Sequence, residues 1–191
     1  EEIGMLNAHY PSIGQYRDVE SLNYYQILLD QGKTEKEALE TLAARSRDNS
    51  RTPMQWNGER YGGFSEAAPW LPMSARFRKE ITVEAQQKDK DSILAFYKKL
   101  IAMRKTYPVI AEGGISFLET GTDMVLAYQR ILGEQRLVVL CNLDGKRQTI
   151  QTSGQWKDFK VLLENYEGRE MVMEEGTFTM EPYGFMVLIS K

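Results

Sequence analysis

Two short segments carry most of the side chains that could do chemistry. One is Tyr16-Arg17-Asp18-Val19-Glu20-Ser21, and the other is Ser46-Arg47-Asp48-Asn49-Ser50-Arg51-Thr52-Pro53-Met54-Gln55-Trp56. Both set arginines beside carboxylates. A guanidinium is a planar fork of donors that binds a carboxylate, or a pair of sugar hydroxyls, with fixed geometry. A carboxylate accepts from hydroxyls, and tryptophan or tyrosine can stack on the apolar face of a sugar ring. Two readings fit this pattern. It is a cleft for a polar ligand, or it is a buried ion-pair network that pins a loop, because charges of this density are costly to bury unless paired.

Other chemistries find little support. The single histidine, His9, cannot build a metal cluster, and no serine or cysteine has a supporting context for nucleophilic catalysis. No phosphate-loop or dinucleotide glycine pattern is present, and Gly62-Gly63-Phe64 reads only as a turn. The one cysteine, Cys141, excludes an internal disulfide or a multi-thiolate zinc site. It sits in the apolar run Val138-Val139-Leu140-Cys141, which predicts an inert buried thiol. A net charge of -3 argues against nucleic-acid binding by bulk charge. No apolar run approaches the ~20 residues needed to span a bilayer. The chain opens Glu1-Glu2-Ile3-Gly4-Met5, without an initiator methionine or a leader, so it is expected to be part of something longer. The lone thiol favours a cytoplasmic location.

The elements that must position the two segments change character near Pro108. Before it the period is helical. Residues 19–31 suit a helix ended by Gly32, and Thr34-Glu35-Lys36-Glu37 is a capping box that opens a second helix to about residue 46, with Ala38, Leu39, Leu42 and Ala43 inward. Asp91 is expected to cap a third helix, on which Ile93, Phe96, Tyr97, Leu100 and Ile101 form one apolar stripe facing the core. Residues 48–88 have no sustained period but are rich in glycine, proline and aromatics, which predicts a long ordered loop. Residues 45–79 hold seven basic side chains against three acidic, a solvated ion-paired surface or the rim of a polar-ligand site.

After Pro108 the period shortens toward two. Strands are expected at Ser116–Glu119, Met124–Arg130, Leu137–Asn142, Thr149–Gln151, Phe159–Leu163, Glu170–Val172, Thr177–Met180 and Phe185–Ile189. Asp144-Gly145 between apolar runs predicts a hairpin. Short strands with turns every ~8–12 residues imply an antiparallel sandwich. Leu137, Val139, Cys141, Phe185, Val187 and Ile189 are expected to point to its core.

The same residues resemble a known family. Glu1–Met5, then Tyr16–Asn23, Ser46–Trp56, Gly63-Phe64-Ser65 and Pro69-Trp70 follow the order and spacing of the alpha-glucosidase branch of the alpha-amylase superfamily of glycoside hydrolases. The resemblance is strongest to trehalose-6-phosphate hydrolases and oligo-1,6-glucosidases, and Ser46 and Ser50 lean toward the former. It runs to about Lys105, and more loosely through Leu163-Glu164-Asn165-Tyr166-Glu167 and Glu181-Pro182-Tyr183.

This resemblance implies an α+β fragment. Residues 1–108 would be the C-terminal end of a (β/α)8 barrel, helices and a long loop, and residues 109–191 an all-β antiparallel sandwich. The family's catalytic carboxylates lie earlier in its barrel and have no counterpart here, so no catalytic residue is assigned in this chain. Two positions match the family's substrate contacts: Arg47, which would bond the glucose of the -1 subsite, and Glu20, near the +1 subsite. Asp48 and Arg51 would orient Arg47, and Trp56, Phe64 and Trp70 would be core aromatics. The parent would be a retaining hydrolase acting on trehalose 6-phosphate or short alpha-1,6-glucosides, with neither metal nor organic cofactor implied. A free-standing, non-catalytic sandwich module that binds carbohydrate or a partner protein is the alternative.

Overall fold

The structure is a computed structural model that describes residues 1–152, 156, 158–166, 173–174 and 176–190. The chain divides into two compact units, Glu1–Leu100 and Ile101–Lys191. Among the described residues the first unit is helical and irregular, and the second is dominated by two antiparallel sheets.

In the first unit, α1 (Val19–Asp30) starts where the Asp18 carboxylate accepts the Ser21 amide. It ends at Gly32, whose φ of +81° reverses the chain at no steric cost. α2 (Glu35–Arg45) opens with the full capping box: Thr34 Oγ1 accepts from the Glu37 amide, and Glu37 Oε2 accepts from the Thr34 amide. It buries Ala38, Leu42 and Ala43. Leu42 joins Ala8, Tyr10, Tyr16 and Leu71 in one apolar cluster. The long loop is ordered by specific bonds rather than by repeating structure. Asn49 donates to Ala43 O and accepts from the Ala8 amide, and the Gln55 and Trp56 carbonyls accept from the Val83 and Glu84 amides at the start of α3 (Val83–Gln87).

Two expectations fail around α4 (Ile93–Thr106). Its cap is Ser92, not Asp91: Ser92 Oγ accepts from the Ala95 amide, as an N-cap one residue before the helix should. The stripe is not core either. Ile93, Phe96, Leu100 and Ile101 are each more than a third exposed, and no residue of α4 is buried. Periodicity states that a face is apolar, not that this chain holds what covers it. Trp56, Phe64 and Trp70, expected inside, are likewise half or more exposed.

In the second unit, which begins within α4, comes α5 (Pro108–Glu112), whose proline sits in the first turn where a missing amide costs nothing. β1 (Gly114–Phe117), β2 (Val125–Leu132), β3 (Gln135–Asn142), β8 (Phe185–Ile189) and β5 (Lys160–Glu164) form one sheet in the order β1-β2-β3-β8-β5. β4 (Gln148–Gln151), β7 (Thr177–Met180) and β6 (Met173–Glu174) form the other in the order β4-β7-β6. The α+β class and the sandwich are as expected. The proposed strand at Glu170–Val172 lies outside the described residues.

The facing was expected wrongly. Between the sheets lie Val125, Ala127, Val138, Leu140, Ile150, Phe178, Met180, Met186 and Leu188. Leu137 and Ile189 are buried on the other face with Val109 of α5, and Val139 and Val187 pack partly against them. Leu137-Val138-Val139-Leu140-Cys141 is apolar on both faces, so alternation could not choose between them. Cys141 is only half-buried, and burial raises its thiol pKa. Asp144-Gly145 does not close a hairpin, because β3 and β4 lie in different sheets. The hairpin in this region is β2–β3, turned at Gly133 with φ +58°.

Candidate functional site

The start of α1 and the 3-10 turn Arg47–Ser50 are brought together by one carboxylate. Asp48 is fully buried. Its Oδ2 accepts from the Arg17 amide at 2.7 Å and from the Asp18 amide at 3.0 Å. A buried carboxylate is tolerable only with such partners. Asp48 Oδ1 makes no hydrogen bond and faces Arg51 Nη1 at 3.7 Å. Arg51 Nη1 is also 3.7 Å from Asp18 Oδ1, so one guanidinium is shared by two buried carboxylates.

Serines complete the lock. The Ser21 hydroxyl and amide both donate to Asp18 Oδ2, at 2.8 and 3.1 Å. The Ser21 and Ser46 hydroxyls lie 2.8 Å apart, and Ser46 Oγ accepts from the Asp48 amide. Burial pushes the Asp18 carboxyl up, but the two Ser21 bonds with the charges of Arg47 and Arg51 outweigh it and hold the group below the ordinary carboxylate range. Close by, Tyr10 donates to Pro72 O and packs edge-on against Tyr16 at 5.1 Å. Burial first, then the Asp48 charge, pushes the Tyr10 phenol up to about 12.

Beside this frame Arg47 meets Glu20. Arg47 Nη2 donates to Glu20 Oε2 at 2.5 Å across a separation of 27 residues. Both side chains are mostly exposed, at 63% and 70%. An exposed pair is worth ~0–1 kcal/mol, so its contribution to the fold is small. The contact engages one of the five guanidinium donors, so capacity for a polar ligand remains. The pair lines an open concavity of about 660 Å³ with Arg17, Asp18, Asn23, Tyr24 and Ile27.

Arg47 and Glu20, the two substrate-contact positions singled out in the sequence, thus lie together. Asp48 and Arg51 were expected to orient Arg47; among the described residues neither side chain makes a hydrogen bond or ion pair with the Arg47 side chain, and Asp48 holds backbone amides while Arg51 holds Asp18 and Asp48. Residues missed in the sequence are Asn23, Tyr24 and Ile27, which follow Glu20 at i+3, i+4 and i+7 on one helical face, a spacing that could have found them. Among the described residues no group of three or more His, Cys, Asp and Glu side chains could hold a metal ion, and no helix is long and apolar enough to cross a membrane.

Known proteins are similar to this chain. The model of the alpha-amylase catalytic domain matches residues 1–113, and that of the alpha-amylase SusG C-terminal domain matches residues 125–187. A trehalose-6-phosphate hydrolase of Bacillus subtilis is 38% identical over 98% of this chain and 33% of its own length. An oligo-1,6-glucosidase of Halalkalibacterium halodurans is 35% identical over 100% of this chain and 34% of its own. The crystal structure of a Bacillus licheniformis trehalose-6-phosphate hydrolase superposes with a TM-score of 0.87 at 39% identity, covering 100% of this chain and 35% of that one. The chain spans about a third of the length of the curated relatives it matches.

Proposed function

The chain belongs to the alpha-amylase family, and from that membership we propose that it is the C-terminal part of a retaining alpha-glycoside hydrolase. In this reading residues 1–108 are the end of the catalytic barrel and residues 109–191 the C-terminal sandwich. The substrate is trehalose 6-phosphate or a short alpha-1,6-glucoside such as isomaltose. One observation carries the reading: Arg47 and Glu20, distant in sequence and poor in structural value, meet on an exposed concavity. Arg47 would fork onto hydroxyls of the glucose in the -1 subsite, and Glu20 would accept from hydroxyls of the next sugar. The match over residues 1–113 weighs against a free-standing sandwich module, which has no need of half a cleft. Retaining glycosidases need two carboxylates ~5–5.5 Å apart across the scissile bond. This chain supplies part of the cleft and is not catalytic alone. Its single thiol suits a reducing compartment, so the proposed location is the cytoplasm.

The test uses the 191-residue chain and the full reading frame that encodes it. The full product should release glucose from trehalose 6-phosphate or isomaltose, and the chain alone should release none. Glucose release by the chain from p-nitrophenyl alpha-glucoside above a buffer control, or hydrolysis of neither disaccharide by the full product, would overturn the proposal.

A further inference from the structure

The bonding of Asp48 ties two distant segments of the chain together. Its carboxylate is fully buried, and replacing a buried ionic group by packed apolar atoms is often neutral or stabilising. Yet its Oδ2 takes two consecutive amides, Arg17 N–H and Asp18 N–H, at the entry to α1. Consecutive amides at a helix start form a natural anion seat, and here a side chain from 30 residues away fills it. Two residues beyond Asp18 stands Glu20, and one residue before Asp48 stands Arg47. The seat therefore fixes the approach of the two segments that carry the exposed pair.

We propose that Asp48 is a positioning residue: by seating on the Arg17 and Asp18 amides it sets the Arg47–Glu20 geometry on which sugar recognition depends. The proposal rests on the substrate reading of that pair, yet its test needs no sugar, so the two can fail separately. Asp48→Asn keeps the volume and one acceptor but turns an amide donor toward Arg51. Arg17→Pro deletes one donor to the seat and leaves the Asp48 charge untouched. Tyr16, with φ -77° and ψ 149°, already has the extended backbone that a following proline requires. Arg17→Gln is its control for loss of the side chain.

The readout is NMR of the 191-residue chain. Rotation of the Arg47 guanidinium about its Cζ–Nε bond should be slowed while Glu20 holds it. Glu20→Gln gives the rate of the released group. Asp48→Asn and Arg17→Pro should each speed that rotation toward the Glu20→Gln rate, by about two- to fivefold, which is what an exposed ion pair can contribute. Arg17→Gln should leave it at the wild-type rate. If Asp48→Asn does not fold, Arg17→Pro alone decides. A wild-type rotation rate in a folded Asp48→Asn or in Arg17→Pro overturns the proposal, because Asp48 would then be structural only. So does an unshifted Arg17 or Asp18 amide proton in Asp48→Asn, because the seat would not exist.

Discussion

Leu140→Ala tests the facing of the β3 strand most sharply. Leu140 is completely buried between the sheets. It stands opposite Ala127 on β2 and Met186 on β8, and its cluster includes Ile150, Phe178 and Met180 of the second sheet. A buried Leu→Ala change costs ~2–5 kcal/mol, and a site walled by two sheets can collapse little, so at least the middle of that range, ~3–4 kcal/mol, is expected. For a domain of this size 1 kcal/mol moves Tm by ~4–8 °C, so the melt should fall by roughly 12–30 °C. Val139→Ala removes two methylene equivalents from a side chain only partly buried on the other face. It should cost less than the ~1.6 kcal/mol of full burial. Cys141→Ala should cost less again. Near-UV circular dichroism melts and urea titrations of the three variants give the order. A Val139→Ala or Cys141→Ala variant that loses as much stability as Leu140→Ala would refute the observed facing.

Two further expectations concern the frame of the site. Thr34→Ala removes the N-cap of α2 and should destabilise the first unit by about 1 kcal/mol, read as a lower urea midpoint at unchanged slope. The Asp18 carboxyl is held below its ordinary value, so its stabilising contribution is complete above about pH 4 and is lost as pH falls through its folded-state pKa. Asp18→Asn should therefore flatten the fall in stability below about pH 4 in acid titrations of the unfolding free energy; an unchanged slope would contradict the assignment.

Much of this architecture was legible because local rules act locally. Thr34 and Glu37 spell a capping box, and seven of the proposed strands overlap observed ones because turn residues bound them. What failed needed partners the sequence does not order. Leu137–Cys141 is apolar at every position, so either face could be the core. Asp144-Gly145 has hairpin chemistry, but whether the chain pairs back or crosses to the other sheet is a long-range choice. The stripe on α4 and the three exposed aromatics announce apolar surface without saying whether this chain covers it. At the site, Arg47 and Glu20 were reached through family resemblance, not through spacing. Asp48 was singled out with them, but its burial under the Arg17 and Asp18 amides could not be read from the order of residues.

The central claim is that Arg47 serves a sugar and not the fold, and Arg47→Lys in the full reading frame's product tests it. Lysine keeps the charge but loses the fork. Hydrogen bonds to a charged group are worth ~1.5–3 kcal/mol. At ~1.36 kcal/mol per decade, kcat/KM for the hydrolysed disaccharide should fall by roughly 10- to 200-fold. The pair with Glu20 is exposed, so Tm should move little. The account predicts that large kinetic loss with a nearly unchanged melt; a large drop in Tm with near-normal kcat/KM would contradict it.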